Sequence, residues 1–342
     1  MPPNQKELAK LAGVSSGTVS NVISGSTKVS ERSRQKVLKA IRTLNYQPNL
    51  IARSLKTNRT HTLGIVVPDI TIPFFPKIIR GAESAARERG YFLIVLDSEG
   101  NPVREADMIA LLQAQRVEGI LLVTAAGYES SSDRLDLLIS SSPVVCVDRL
   151  PVNLWVDSIC VDDCGAAEMA ILHLIGMGHT EIAVITGPLT LQNEHERLRG
   201  YRQALQNSGV PIRNSFIWSG SFEQEQVASM CQNGMLGSAG KPSALFATNG
   251  VTGLAALRSL YAVGLNTPKD FSFATFDEVI AEDFFRPGIT SVVQPTFDMG
   301  YQAVEVLLKR IQNGTADSPR KNVRLPATLT IRESSNIPYV AR

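Results

Sequence analysis

The chain has 342 residues, which at roughly 150 residues per domain predicts two or three domains. Hydrophobic residues make up 44% of it and charged residues 19%, a composition that excludes a wholly disordered, collagen-like or coiled-coil protein. The apolar runs are too short to span a membrane and the N-terminus has no apolar signal segment, so we expect a cytoplasmic protein whose four cysteines are free thiols.

The formal charge of +2 is distributed unevenly along the chain. Residues 1–60 carry 11 basic and two acidic residues, a charge of +9, whereas the remainder carries 23 basic and 30 acidic residues, a charge of −7. A small basic segment joined to an acidic body is typical of a nucleic-acid-binding domain attached to a domain with another function. Charge alone leaves a solvated basic face as the alternative interpretation.

The basic segment has the sequence pattern of a helix-turn-helix. Asn4 and Glu7 match a capping box, and apolar residues then recur at helical spacing, which predicts a helix over about residues 5–12. Gly13 can supply the turn, and Ser15 can cap a second helix. A third amphipathic stretch, capped by Ser30, carries five of the eleven basic residues. A generic three-helix bundle is the alternative to a DNA-binding domain.

The segment from Gly13 to Gly17 also matches the G-x-S-x-G signature of an esterase, with Ser15 as the nucleophile. That signature requires a buried strand before it, because the strand-to-helix turn is what exposes the serine. The residues before Gly13 have helical periodicity instead, so we interpret this segment as the turn between two helices.

Four segments resemble the head and hinge of the LacI/GalR family of bacterial transcription regulators, and the likeness continues in order through the chain. They are Leu8–Ser15, Thr18–Ser20, Tyr46–Asn49 and Ala52–Leu55. The resemblance implies a DNA-binding domain at 1–47, a hinge helix and linker at 48–60, and an effector-binding and dimerisation domain at 61–342. The implied fold class is a small all-α helix-turn-helix head plus an α/β two-lobed body like a periplasmic binding protein.

The same resemblance places the second helix in the major groove of operator DNA and paired hinge helices in the minor groove, where Leu55 is the apolar wedge. The implied DNA-contacting residues are Ser15, Ser16, Thr18, Ser20, Asn21, Asn49, Ala52, Leu55 and Lys56. Two residues depart from the family pattern. Gly17 stands where family members usually have a base-contacting side chain, and Asn21 stands where they often have arginine or histidine. The operator sequence therefore cannot be copied from relatives. For Leu55, packing against the body is the alternative.

From residue 62 onward, short apolar runs alternate with amphipathic stretches, which predicts parallel sheets covered by helices on both faces. The length suits two lobes, with changeovers near Cys160 and Ser291. The predicted strands are 63–67, 92–96, 120–123, 144–147, 182–185, 245–247 and 271–276, and the predicted helices are 78–89, 105–115, 166–177, 196–208 and 252–263.

Polar side chains follow several of these strands, and ligands of open α/β sheets bind beyond the carboxyl ends of the strands. Together with the resemblance, this predicts an effector site for a sugar, a sugar acid or a similar small polar molecule. Its residues are Phe75, Asp148, Arg197, Phe222, Asn249 and Asp277, with Arg197 at the start of its helix. For Asp69 and Asp148, the alternative to a role in the effector site is that the side chain only forms a turn or caps a helix. Ile72 replaces the family's asparagine before Pro-Phe-Phe, which implies a less polar floor.

Little in the sequence indicates catalysis. We expect His179 and Trp218 to be core residues, and Cys160 and Cys164 lack the paired spacing of a zinc site. The sequence thus predicts a repressor that acts as a homodimer on double-stranded operator DNA under the control of a carbohydrate-like effector. It predicts no catalytic residue, metal, cofactor or membrane partner. A solute-binding protein and a sugar-modifying enzyme are the alternative classes.

Overall fold

The computed structural model divides the chain into two units, Met1–Thr60 and His61–Arg342. It describes residues 3–23, 27–46, 59–125, 142–150, 156–237, 240–278, 286–313 and 319–336. Four of the predicted DNA-contacting residues lie outside this described part of the chain, namely Asn49, Ala52, Leu55 and Lys56.

The described residues of the N-terminal unit form three helices around a small apolar core. They are α1 (Gln5–Ala12), α2 (Ser16–Ile23) and α3 (Glu31–Leu44). The Asn4 side chain accepts a hydrogen bond from the backbone N–H of Glu7 at 3.0 Å, and the Glu7 carboxylate accepts one from the backbone N–H of Asn4, which confirms the predicted capping box. Leu8, Val19 and Val37 are fully buried, one from each helix.

Helix α1 settles two sequence-based interpretations. It ends at Gly13, whose φ of 62° is left-handed, so a helix and not a strand precedes Ser15. The esterase interpretation was therefore rightly rejected on local structure. The apolar residues at helical spacing in this segment are Leu8, Leu11 and Ala12, and the expectation that Leu11 packs inward with the other two was wrong, since its side chain is 52% exposed. The buried face of α1 consists of Leu8, Ala9 and Ala12, and Leu11 lies beyond its edge.

The described residues of the C-terminal unit form two six-stranded sheets, each of which is the centre of a lobe. The strands are β1 (Thr62–Val67), β2 (Phe92–Asp97), β3 (Gly119–Leu122), β4 (Val144–Val147), β5 (Asp157–Val161), β6 (Ile182–Thr186), β7 (Ile217–Ser219), β8 (Ala244–Ala247), β9 (Ser272–Phe276), β10 (Thr290–Val293), β11 (Asn322–Leu325) and β12 (Thr328–Thr330). Lobe 1 has the strand order β11-β5-β4-β3-β1-β2, and lobe 2 has the order β12-β10-β9-β8-β6-β7. All neighbours are parallel except β10 and β12, which are antiparallel.

Helices pack against both faces of the sheets, as the apolar strands predicted. On β1, Ile65 faces one buried apolar core and Val66 faces another. The helices of lobe 1 are α4 (Phe74–Glu88), α5 (Pro102–Ala114) and α10 (Thr296–Asn313), and those of lobe 2 are α6 (Asp163–Gly176), α7 (Gln192–Asn207), α8 (Gln224–Leu236) and α9 (Gly250–Ala262). No helix in the described ranges has both the length and the apolar character needed to cross a bilayer.

The chain passes between the two lobes at three places: from β5 to α6, from β10 to α10, and from β11 to β12. The third passage, at residues 326–327, was not indicated by the sequence. Strands β11 and β12 have only four and three residues, and neither contains an apolar run. Both lobes are therefore assembled from separate stretches of the chain.

Helices α4 and α10 of lobe 1 approach each other closely enough for their backbones to touch. A Cβ atom on Gly300 would lie 2.0 Å from the carbonyl oxygen of Ile78, and one on Gly81 would lie 2.0 Å from that of Phe297. The two glycines thus permit an approach that no side chain could share.

The residues predicted for the core lie there. Trp218 is buried on β7, and its indole N–H donates to the carbonyl oxygen of Ser215 at 2.9 Å. His179 is buried, and its ring nitrogens lie 2.9 Å from Ser243 Oγ and 2.8 Å from Ser272 Oγ. The four cysteines, Cys146, Cys160, Cys164 and Cys231, are free and buried.

Candidate DNA-reading helix and effector cleft

The predicted major-groove residues lie on α2 and at its start. Ser15 Oγ accepts a hydrogen bond from the backbone N–H of Thr18 at 3.1 Å and lies 2.9 Å from Thr18 Oγ1. Ser15 is therefore the predicted N-cap, which commits its hydroxyl group to the end of the helix. Ser16 and Asn21 are exposed, and Ser20 is half-buried. This surface is short and polar.

Helix α3 carries five of the eleven basic residues of the N-terminal unit. Its N-cap is Ser30, whose side chain accepts a hydrogen bond from the backbone N–H of Ser33. The exposed basic residues on it are Arg32, Lys36, Lys39 and Arg42. A helical face of this charge suits contact with phosphates, which carry affinity without sequence information.

A cavity of about 820 Å³ lies between the two lobes of the C-terminal unit. The structure brings all six predicted effector residues together around it: Phe75, Asp148, Arg197, Phe222, Asn249 and Asp277. Asp148 directly follows β4 and Asp277 directly follows β9, so the side chains at the carboxyl ends of strands from both lobes meet there. Ile72 also lines the cavity, which agrees with the expected apolar floor.

Arg197 is fully buried and its guanidinium group is extensively paired. Nε donates to Asp163 Oδ1 at 2.8 Å, and Nη1 donates to the carbonyl oxygen of Thr248 at 2.8 Å. Nη2 lies 3.5 Å from Asp148 Oδ1. The guanidinium carbon lies 3.7 Å from the ring centre of Phe276. Since Asp148 belongs to lobe 1 and Arg197 to lobe 2, this group links the two lobes.

Burial and charge act in opposite directions on these groups. Burial alone would lower the pKa of Arg197, but the nearby carboxylates, led by Asp163, raise it above its ordinary value. Burial raises the pKa of Asp163 and that of Asp277, the latter to about 6, although the Arg197 charge opposes both shifts. The guanidinium group of Arg197 therefore stays charged. The raised pKa values mean that the carboxyl groups of Asp163 and Asp277 ionise less readily here than they do in water.

The prediction that Arg197 begins its helix was wrong. Helix α7 begins at Gln192, so Arg197 lies in its second turn. The first turn was missed because residues 192–195 are all polar and carry no apolar stripe.

That first turn contains Glu194, a buried cleft residue that sequence reasoning missed. Its carboxylate accepts hydrogen bonds from the backbone N–H of Gly187 at 2.9 Å, from Asn249 Nδ2 at 3.0 Å and from the Thr248 hydroxyl group. Asn249 Oδ1 in turn accepts from the backbone N–H of Thr252 at 2.8 Å and caps α9. Glu194 thus fixes Asn249 and the cleft wall around it.

Asp148 and Asp277 occupy equivalent positions in the two lobes. Both have left-handed backbones, with φ of 61° and 68°, a conformation that aspartate tolerates better than most residues. The backbone N–H groups donate to Ile159 and Val292 on the neighbouring strands. Gln294 Nε2 donates to Asp277 Oδ1 at 2.7 Å and to Asp148 Oδ1 at 3.5 Å. One amide group therefore joins a carboxylate from each lobe.

Replacing Asp277 by asparagine is expected to change how stability depends on pH. The folded-state pKa of about 6 exceeds the ordinary 3.8, so the stabilisation from this group is fully present below about pH 4 and is lost as the pH rises through 6. Asparagine does not ionise, so the free energy of unfolding of Asp277→Asn relative to the parent should increase between pH 5 and pH 7.5. Urea unfolding at the two pH values measures this, and an unchanged difference would contradict it.

Arg149 lies between two aromatic rings that come from opposite lobes. Its guanidinium carbon is 5.2 Å from the ring centre of Phe75 and 4.8 Å from that of Phe222. Burial lowers the pKa of Arg149, and neighbouring carboxylates, led by Asp148, oppose this. Arg149 directly follows Asp148 in the chain, and no sequence signal indicated that it stacks on these rings.

Comparison with protein families identifies the family to which the helical N-terminal unit and the two-lobed C-terminal unit belong. A model described as "Bacterial regulatory proteins, lacI family" matches residues 5–49. A second, described as "Periplasmic binding proteins and sugar binding domain of LacI family", matches residues 60–333. The chain belongs to the LacI family. Its helix-turn-helix and its cleft are the two parts that these models describe.

Individual LacI-family proteins match almost the whole chain. The HTH-type transcriptional repressor PurR of Mannheimia succiniciproducens is 34% identical over 331 residues, which cover 96% of this chain and 97% of that one. Among solved structures, a transcriptional regulator CelR–cellobiose complex has a TM-score of 0.71 at 31% identity and covers 97% of this chain and 99% of its own. A lac repressor dimer bound to operator and the anti-inducer ONPF shares the fold, with a TM-score of 0.84 at 23% identity. The match covers 98% of this chain and 99% of the lac repressor chain.

The family assignment agrees with the chemistry of the cleft. LacI-family members are transcriptional regulators. In the part of the chain that the structure describes, no group of three or more His, Cys, Asp or Glu side chains is placed to hold a metal ion. The cleft residues instead form an ion-paired, hydrogen-bonded lining of the kind that recognises a small polar molecule.

Proposed function

We propose that this LacI-family chain is a repressor that binds operator DNA as a homodimer and responds to a small, carbohydrate-like effector in its cleft. The observation that carries the effector site is the meeting of polar groups from both lobes. Asp148 of lobe 1 reaches both Arg197 and Gln294, which lie beyond the first passage between the lobes. The proposed effector contacts are the six predicted residues together with Arg149. The CelR–cellobiose complex supports a carbohydrate-like ligand.

The proposed mechanism is thermodynamic linkage between the cleft and the operator. A ligand that touches residues of both lobes binds one arrangement of the lobes better than another, and it shifts the population by that difference in affinity. Operator affinity changes with the ligand only if the DNA-binding unit also distinguishes the two arrangements. The hinge residues 48–60 are the proposed link, because they connect the two units.

On the DNA side, α2 is the proposed major-groove reader. Ser16, Thr18, Ser20 and Asn21 are its proposed contacts, with Ser15 holding the end of the helix. The hinge contacts remain proposals as well: Asn49, Ala52, Leu55 and Lys56. A homodimer presents two such heads, so the operator should consist of two half-sites related by two-fold symmetry.

Selection of random duplex DNA by the purified chain at a fixed, near-physiological salt concentration tests this function. We expect a two-fold-symmetric consensus. Leu55→Ala should abolish binding, because it removes the wedge that holds the DNA bent. Ile212→Ala, which shortens an exposed apolar side chain of lobe 2, is the matched control and should select the same site. Absence of a consensus would contradict the proposal.

Asn21→Ala should relax the base preference at one base pair of each half-site. A good base contact provides about 1–3 kcal/mol of discrimination, so preference at that position should fall by about tenfold or more, while affinity for other sequences is retained. Gln35→Ala, on the exposed surface of α3, is the control. Competition binding with single-base operator variants measures the effect. An unchanged preference at every position would refute the role of Asn21.

A further inference from the structure

The lining of the cleft is strongly acidic. Among the described residues, seven acidic side chains and three arginines line it. Arg197 already donates to a carboxylate and a carbonyl group, and Arg149 lies on two phenylalanine rings. At the mouth of the cleft, Glu278 is 3.1 Å from Lys77, so that carboxylate has a cation of its own. Glu99 likewise pairs with Arg104. In the deeper, more buried part of the lining, three carboxylates, Asp148, Glu194 and Asp277, face two arginines, Arg149 and Arg197, so negative charge is in surplus there as well.

Two carboxylates in that deeper part keep binding capacity. Asp148 and Asp277 each engage their Oδ1 atom with Gln294 Nε2, and Asp148 Oδ1 also faces Arg197. Within the described residues, no donor reaches the Oδ2 atom of either aspartate. Asp148 is buried and Asp277 is half-buried, and both line the cavity, so a donor group of a ligand can reach these oxygens.

Two buried amide oxygens add to this set of acceptors. Gln294 Oε1 and Asn193 Oδ1 have no hydrogen-bond partner in the described part of the chain, and their residues are 6% and 4% exposed. The amide group of Gln294 lies between the two aspartates because its nitrogen donates to both, and Asn193 lines the cavity. Buried acceptors without donors are uncommon, and Asn193 belongs to the lining, so a donor group of a ligand that reaches it would satisfy one of them.

We propose that the effector carries a protonated amine that lies between Asp148 and Asp277, as in an amino sugar or another aminated polyol. The proposal rests on the proposed function, because it names the ligand class of the same cleft. An ammonium group has three donors and no acceptor, and its charge offsets the surplus carboxylate. A sugar acid would add negative charge where it is already in excess.

Of the three arginines that line the cleft, the two buried ones, Arg149 and Arg197, are consistent with this ligand. Arg197 is held by its carboxylate partners and offers no extra charge to the ligand. Arg149 presents the cavity with a guanidinium group for which no hydrogen-bond acceptor lies in the described residues, and it can donate to ligand hydroxyl oxygens. Hydrogen bonds between an ammonium group and a carboxylate are about twice as strong as neutral ones, so an amine should bind about tenfold more tightly than the matched hydroxyl compound.

Isothermal titration calorimetry with the full chain near pH 7 tests the ligand class. The probes are three matched pairs, D-glucosamine and D-glucose, D-galactosamine and D-galactose, and D-mannosamine and D-mannose, with D-gluconate as the anionic probe. At least one amino sugar should bind about tenfold more tightly than its parent sugar. Equal or tighter binding of the parents or of gluconate, or no binding of any amine, would overturn the proposal.

A charge-neutral variant separates this inference from a change in folding. Asp277→Asn should remove the preference for the amine, so that the ratio of the two dissociation constants falls about tenfold while the circular dichroism spectrum is kept. Glu83→Gln removes one negative charge from the exposed face of α4, outside the cavity, and should leave the ratio unchanged. If a neutral sugar binds and amines do not, the effector cleft stands and this inference fails. Failure of operator selection would instead overturn the repressor function.

Discussion

Replacing Arg197 by methionine is expected to lower the free energy of unfolding by about 3–5 kcal/mol, because breaking one side of a buried ion pair leaves the other side uncompensated. Methionine keeps much of the length of the side chain, but Asp163 and Asp148 lose their cation, and the carbonyl oxygen of Thr248 loses a donor. Urea unfolding at neutral pH measures the loss. The same substitution should also abolish binding of any ligand in the cleft, since Asp163 and Asp148 would both be repositioned.

Two further variants check the cause of that loss. Arg213 forms an ion pair with Glu181 at the surface, and Arg213→Met should cost no more than about 1 kcal/mol because water screens exposed pairs. Adding Asp163→Asn to Arg197→Met should restore part of the stability by removing one unpaired carboxylate. If Arg197→Met cost as little as Arg213→Met, the buried pairing would not stabilise the cleft as described.

Gly300→Ala is expected to destabilise lobe 1 by about 1–3 kcal/mol or more, in the range of overpacked cores. The added Cβ would lie 2.0 Å from the carbonyl oxygen of Ile78, and backbone cannot rotate away as a side chain can. Helices α4 and α10 would have to separate along their contact. Thermal and urea unfolding both report this loss.

Gly176→Ala provides the matched control for the same chemical change. Gly176 is the last residue of α6 and has no atom within 4 Å of the added Cβ, so alanine should stabilise the chain slightly, by less than the roughly 0.5–1 kcal/mol expected in the middle of a helix. The two substitutions should therefore have opposite signs. A loss at Gly176 as large as that at Gly300 would show that backbone contact between α4 and α10 is not the cause.

Local signals made the N-terminal unit and the strand ends predictable from sequence. The Asn4 cap, the Ser15 cap and the apolar spacing act within a few residues, and the helices begin and end close to the predicted positions. Asp148 and Asp277 were predicted because each follows an apolar run, and a parallel sheet brings such ends to one edge. The sequence analysis predicted that Arg197 shares a site with these aspartates, but it did not predict the ion pairs that Arg197 forms with Asp163 and Asp148.

Features that depend on distant residues were not predictable. Strand β5 begins with Asp157, an acidic residue that favours no strand; it is buried because Arg310, 153 residues away, pairs with both of its oxygens at 2.7 and 2.8 Å. Glu194 lies in a polar stretch typical of an exposed helix, and three donors from other segments make its burial possible. For Gln294, no local sequence pattern indicated a place in the cleft. In each case, a contact made in the folded chain overrides the local pattern.

The three passages between the lobes determine the order in which the chain can fold during synthesis. Lobe 1 takes α10 and β11 from beyond residue 295, and β11 pairs with β5 of residues 157–161. The first half of lobe 1 must therefore wait, with the Gly81 face of α4 uncovered, until nearly all of lobe 2 has left the ribosome. A nascent chain that stalls before α10 exposes this apolar face and an unpaired strand edge, which are the surfaces that favour aggregation and chaperone binding.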